Sequence, residues 1–153
     1  MLHRRALLAT ATAGLLAACG GKAPPGPAVV TVAVTGEPGM NPGPDGADRP
    51  VTLSLLRLRD AGVFNSADMF ALQEDPATAL AADLVGMDQL AIAPGGSASK
   101  TITFEPDATQ LGLLALLRDP AGKVWRRAVP VAPGMKATAT VTLGPQGLAL
   151  TLA

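Results

Sequence analysis

A chain of 153 residues has room for one ordinary domain and little more. It is 48 % hydrophobic and 16 % charged, which excludes wholesale disorder, and twelve basic against twelve acidic residues leave no net charge to support nucleic-acid binding. One His and one Cys, both within the first nineteen residues, remove most nucleophilic and metal chemistry from everything that follows.

The N-terminus reads as a targeting segment. His3, Arg4 and Arg5 make a positive start, and Ala6 to Ala18 is an uncharged stretch of thirteen residues, short of the roughly 20 that a membrane-spanning helix needs. It ends in Leu16-Ala17-Ala18-Cys19, followed by Gly20. Leu three before the Cys, small residues between, and no second Cys to pair with it point to a lipobox. On that reading residues 1–18 are a signal peptide that is removed, and the Cys19 sulfur carries a diacylglyceryl group. The other reading is a plain secretory signal that leaves Cys19 an incidental thiol. Each buried CH₂ contributes about 0.8 kcal/mol, so several acyl chains on one Cys hold a domain on a membrane almost permanently. Gly20, where Asp would favour retention at the inner membrane, points to outer-membrane delivery.

Residues 19–28 then form the lipidated Cys and a flexible tether, with Gly, Pro and small residues from Gly20 to Pro27. The folded domain spans 29–153. Val30, Val32 and Val34 alternate with Thr31, Ala33 and Thr35, a strand with one buried face. From Gly36 to Pro50 Gly, Pro, Asn and Asp dominate, with Pro38, Pro42 and Pro44 spaced through the run. A connection of about fifteen residues is long enough to suggest function. Its prolines lower the entropy cost of ordering it against a partner. Met40 is an exposed, adaptable apolar candidate, and Asn41, Asp45 and Arg49 offer polar complementarity. The alternative is a mobile connector without a role. Removal of Met40 to Asp48 is expected to leave the fold intact.

A second strand, Val51 to Arg59, changes parity from Val51, Leu53 and Leu55 to Leu56 and Leu58, which predicts a bulge near Leu55. Two helices follow. Asn65 or Ser66 caps the first, which runs through Gln73; Asp75-Pro76 starts the second, with Ala77, Leu80, Ala81 and Leu84 on one face and Gly86 placed to end it. Strands resume at Gln89 to Ala93, Ser97 to Phe104, Leu111 to Leu117 and Val124 to Val131. A hairpin turning at Gly144-Pro145-Gln146-Gly147 closes the series, with Leu148, Leu150 and Leu152 on one face. About eight strands with one short two-helix insertion and no βαβ rhythm predict a mainly β, antiparallel two-sheet sandwich.

Chemistry is scarce. Without His or Cys beyond residue 19, the mature domain has no His-based acid–base pair and no His or Cys zinc site, and no enzyme, cofactor or metal is expected. Asp68, Glu74, Asp75, Asp83 and Asp88 sit in helix caps and turns, where carboxylates are structural. Asp45 and Asp48 lack the dense oxygen ligands of a calcium loop. Trp125 reads as a core residue flanked by the solvated charges Arg126 and Arg127.

Met40-Asn41-Pro42, Asp45-Gly46 and Arg49-Pro50 lead into the strand Val51 to Leu58. With Ala67-Asp68-Met69-Phe70-Ala71-Leu72, Asp75-Pro76, Pro94-Gly95, Arg118-Asp119 and Trp125-Arg126 in that order, the chain resembles the TssJ family of type VI secretion lipoproteins. The resemblance covers essentially the whole mature chain. It implies a transthyretin-like β-sandwich with a helical addition, anchored in the outer membrane and facing the periplasm. It also implies binding of the C-terminal periplasmic region of the inner-membrane protein TssM through the loop between the first two strands, here Glu37 to Arg49. The contact candidates are Met40, Asn41, Pro42, Asp45, Asp48 and Arg49. The family often carries Tyr where this chain has Leu56, and the chain has no Tyr at all. Hydroxyisourate hydrolases share such a sandwich but depend on His. The competing reading from another class is a periplasmic carrier of a small apolar ligand held between the sheets.

Overall fold

The structure, a computed structural model, describes residues 20–153; the signal segment and Cys19 lie outside the described residues. Two four-stranded sheets face each other. The first has the order β4-β1-β7-β8, built from Ser97–Thr103, Val29–Gly36, Lys136–Gly144 and Gly147–Leu152. The second has the order β3-β2-β5-β6, built from Leu84–Ile92, Val51–Leu58, Gln110–Leu116 and Arg126–Pro130. The eight-strand sandwich is as expected. All pairings are antiparallel except β1 with β7, which run parallel in the middle of the first sheet.

The alternation along β1 is realised directly: Val30, Val32 and Val34 are buried while the intervening Thr and Ala face outward. They meet Leu53 and Leu55 of β2 and Leu111 and Leu113 of β5 in the core between the sheets. The second sheet is covered on its other face as well. There Leu56, Leu58 and Leu114 pack under Phe64, Leu72 and Leu80 of the helical insertion. This explains the apparent parity change in β2: both faces of the strand are buried, so both sets of positions are apolar. The expected bulge at Leu55 is absent there. The register instead slips between Arg57 and Leu58 against β3, where Val85 is the extra residue.

The insertion consists of three short helices, α1 Gly62–Ser66, α2 Met69–Glu74 and α3 Pro76–Leu80, and a 3₁₀ turn Ala81–Asp83. Asp75 caps α3 as predicted, its carboxylate accepting from the Thr78 N–H with Pro76 at the first position. The cap of α2 is Asp68, not Asn65 or Ser66, accepting from the Phe70 and Ala71 N–H groups. β3 begins at Leu84, five residues before the expected start, and Gly86 lies within it instead of ending a helix. A Cβ at Gly86 would collide with the Arg57 guanidinium, which lies across this position. Arg57 reaches Asp88 of β3 at 2.6 Å and Glu105 at 3.0 Å, and Lys100 of β4 reaches Asp88 at 3.0 Å. One side of the sandwich, between edge strands β3 and β4, is thus closed by a charged network.

Trp125 touches both apolar cores, as a core residue should. Arg126 is not a solvated charge. Its guanidinium sits 4.3 Å from the Trp125 ring centroid and donates to the carbonyls of Phe64 and Ala67, at 2.9 and 2.6 Å, where α1 ends.

Candidate functional site

The β1–β2 connection leaves β1 at Gly36 and turns under its own side chains. Met40, expected to be exposed, is fully buried in the core between the sheets. The physical reason is local: Gly36 has no side chain, and a Cβ there would stand 2.8 Å from the Met40 sulfur, so the thioether fills the space that glycine leaves. Asn41 is 5 % exposed and works inward too. Its side-chain oxygen accepts from the Arg118 backbone N–H at 2.9 Å, and its amide donates to the Pro50 carbonyl at 3.2 Å. Asp48 accepts from the N–H groups of Gly39 and Asn41, and Pro42 bridges to Asp48 across the neck of the loop. Met40, Asn41 and Asp48 therefore hold the loop in place.

Beyond this neck, residues 43–47 form a tight tip. The Gly43 N–H donates to Ala47 O at 2.8 Å and the Gly46 N–H to Gly43 O at 3.0 Å. Arg49 folds back to pair with Asp45 at 2.8 Å. That guanidinium holds the Asp45 carboxyl below its ordinary range, helped by the Ala47 N–H and by the charge of Arg118 nearby. Pro42, Pro44, Asp45, Gly46, Ala47 and Arg49 are exposed. The structure so divides the six candidates: Pro42, Asp45 and Arg49 face outward, whereas Met40, Asn41 and Asp48 build the base. Removing Met40 to Asp48 would take out a core side chain and two anchoring polar groups, so the expectation that the fold survives it does not stand. A cut confined to 43–47 is the conservative version.

The loop does not stand alone. Gly39 lies against Pro145 of the β7–β8 turn, and Asn41 ties it to Arg118 at the start of the β5–β6 connection. Neither neighbour was legible, because Asn41 and Arg118 are separated by 77 positions in sequence and nothing in the spacing of residues joins them. The acidic set Asp68, Glu74, Asp75, Asp83 and Asp88 is not one cluster: Asp68 and Asp75 cap helices and Asp88 belongs to the Arg57 network. Among the described residues no helix is long and apolar enough to cross a membrane.

The family described as type VI secretion lipoprotein, VasD, EvfM, TssJ, VC_A0113 matches residues 28–146. A comparison with curated proteins found no match. Among solved structures the chain is similar to the T6SS lipoprotein TssJ1 from Pseudomonas aeruginosa, at 29 % identity and a TM-score of 0.78, over 83 % of this chain and 97 % of that one. It is also similar to Serratia marcescens Lip, a membrane bound component of the type VI secretion system, at 23 % identity and a TM-score of 0.74, over 80 % and 96 % of the two chains. A third likeness is to a chain in a structure of the T6SS protein TssM C-terminal domain from EAEC, at 22 % identity and a TM-score of 0.66, over 80 % and 97 %. The last two establish the fold alone. A family match spanning nearly all of the two sheets means that the chain belongs to the type VI secretion lipoprotein family, which includes VasD and TssJ.

Proposed function

We propose that this chain is the outer-membrane lipoprotein of a type VI secretion membrane complex, held by lipid at Cys19 and facing the periplasm. Its β1–β2 loop binds the C-terminal periplasmic region of TssM. The observation that carries the reading is the division of labour in the loop. Met40, Asn41 and Asp48 fix its base, while Asp45 on the ordered tip and Pro42 and Arg49 flanking it are presented to solvent. A preorganised protrusion loses little conformational entropy on docking, which is what a partner-binding loop requires and a plain connector does not. The likeness to a chain in a structure of the TssM C-terminal domain supports the choice of partner.

The test is a calorimetric titration of residues 20–153 with the purified periplasmic region of TssM, repeated after residues 43–47 are replaced by a short Gly-Ser link. Binding is expected to weaken by about tenfold or more with little change in thermal stability. Equal affinity in both proteins overturns the loop assignment. The carrier reading requires space between the sheets, and that space is filled by side chains such as Leu53, Leu55, Leu111 and Leu113, all 0 % exposed.

A further inference from the structure

A two-sheet sandwich has four edge strands, and each exposes a row of unpaired backbone groups that invites another strand. Three of the four are guarded here. β4 carries Lys100, β3 carries the irregularity at Val85 and the paired Asp88, and the five-residue β6 carries Arg127 and Pro130. The fourth, β8, is different. Gly147-Leu148-Ala149-Leu150-Thr151-Leu152 contains no charge and no proline.

The hydrogen-bond parity of β8 follows from its partner. Thr138 and Ala153 exchange both backbone bonds, at 2.7 and 3.0 Å, so Thr151 and Ala149 point their backbone groups toward β7, and Leu148, Leu150 and Leu152 point theirs away. Leu148 confirms this by donating outward to the Val124 carbonyl at 2.7 Å. Past that bridge, no partner meets the outward groups of Leu150 and Leu152 among the described residues. The side chains of the same residues, with Val129 of β6, are only partly buried at the rim of the core. Arg127 lies opposite Leu113 on the core-facing side of β6, is exposed, and makes no ion pair among the described residues. So one side of the sandwich is locked by the Arg57 network, while the other is an apolar seam with an open backbone edge and a single positive charge.

We infer that the β8 edge is a strand-addition site for an extended segment of the periplasmic partner, with apolar residues at alternate positions and a carboxylate opposite Arg127. Strand addition supplies affinity through main-chain bonds, and the alternate side chains close the seam over Leu150, Leu152 and Val129. A second copy of this chain fits less well. Pairing β8 with β8 over about five residues, roughly 17 Å, buries far less than the ~800 Å² per partner of a stable interface and leaves both seams open. Continuity favours the same partner as the loop, because the turn that starts β8 carries Pro145, which rests against Gly39 at the loop base. That identity rests on the reading above.

The experiment is amide hydrogen exchange by NMR on residues 20–153, whose two sheets enclose their own core, with and without the purified TssM periplasmic region. Exchange at Leu150 and Leu152 is expected to slow by about tenfold or more in the complex. Leu150→Pro, which removes an outward N–H without touching the β7 ladder, is expected to weaken binding by roughly fivefold, and Leu150→Val to leave it unchanged. Exchange unaltered at both residues, while loss of 43–47 still abolishes binding, overturns strand addition and leaves the loop assignment standing. Slowed exchange in a complex indifferent to 43–47 does the reverse. Slowed exchange without any partner, accompanied by dimer formation, assigns the edge to a second copy and overturns the inference, as does absence of any TssM binding.

Discussion

Replacing Asn41 by Ala should loosen the loop without touching its exposed tip. The substitution removes the acceptor of the Arg118 N–H and the donor to the Pro50 carbonyl, bonds of 2.9 and 3.2 Å. A buried backbone group left without a partner costs about 1–3 kcal/mol. Arg118 and Pro50 belong to exposed residues, so water can partly replace the lost amide and the low end applies. Two groups then amount to about 2 kcal/mol, which for a domain of this size lowers Tm by roughly 8 °C. Circular dichroism melts of residues 20–153 measure this directly. Titration with TssM should show weaker binding as well, because the tip must then be ordered on docking. A Tm within about 2 °C of the parent would refute the claim that Asn41 staples the loop to the β5–β6 connection.

Arg126→Met should cost about 2 kcal/mol, since it strips the charged donor from the Phe64 and Ala67 carbonyls, and the emission of the single Trp125 should shift as its covering guanidinium is lost. Ala81 sits at φ 48°, ψ −123°, a conformation suited to glycine, so Ala81→Gly should raise stability by about 1 kcal/mol in a denaturant titration. Asp88 is held below the ordinary carboxylate value of 3.8, first by the Arg57 hydrogen bond and then by Lys100; Asp75 is lowered by the Thr78 hydroxyl and N–H. Lowered folded-state values stabilise fully above the unfolded value and lose that contribution as pH falls through the folded one. With the only His at position 3, melts of residues 20–153 should be flat from about pH 5 to 8 and fall below about pH 4, less steeply in Asp88→Asn.

What could be read from the residues alone was whatever follows a local period. Val30, Val32 and Val34 announced β1, the apolar run at Leu111 announced a strand buried on both faces, and the Gly-Pro-Gln-Gly turn announced the last hairpin. The failures came from partners distant in sequence. Gly86 carries the signal of a helix end, yet its role is to admit Arg57, twenty-nine positions earlier. Met40 reads as an exposed anchor in a Pro-rich loop, and only the missing side chain at Gly36 shows why it turns inward. Of the candidate site, the loop was legible from its composition, and its inward and outward residues were not, because Asn41 and Asp48 look as polar on paper as Asp45 and Arg49.

Where TssM touches the lipoprotein can be tested directly. A photo-crosslinking amino acid at Ala47, on the exposed tip, and another at Thr101, on the outer face of the first sheet, can be compared in bacteria carrying the full-length lipoprotein. Crosslinks to TssM from position 47 and none from 101 are the predicted result. Crosslinks to TssM from 101 with none from 47 would contradict it.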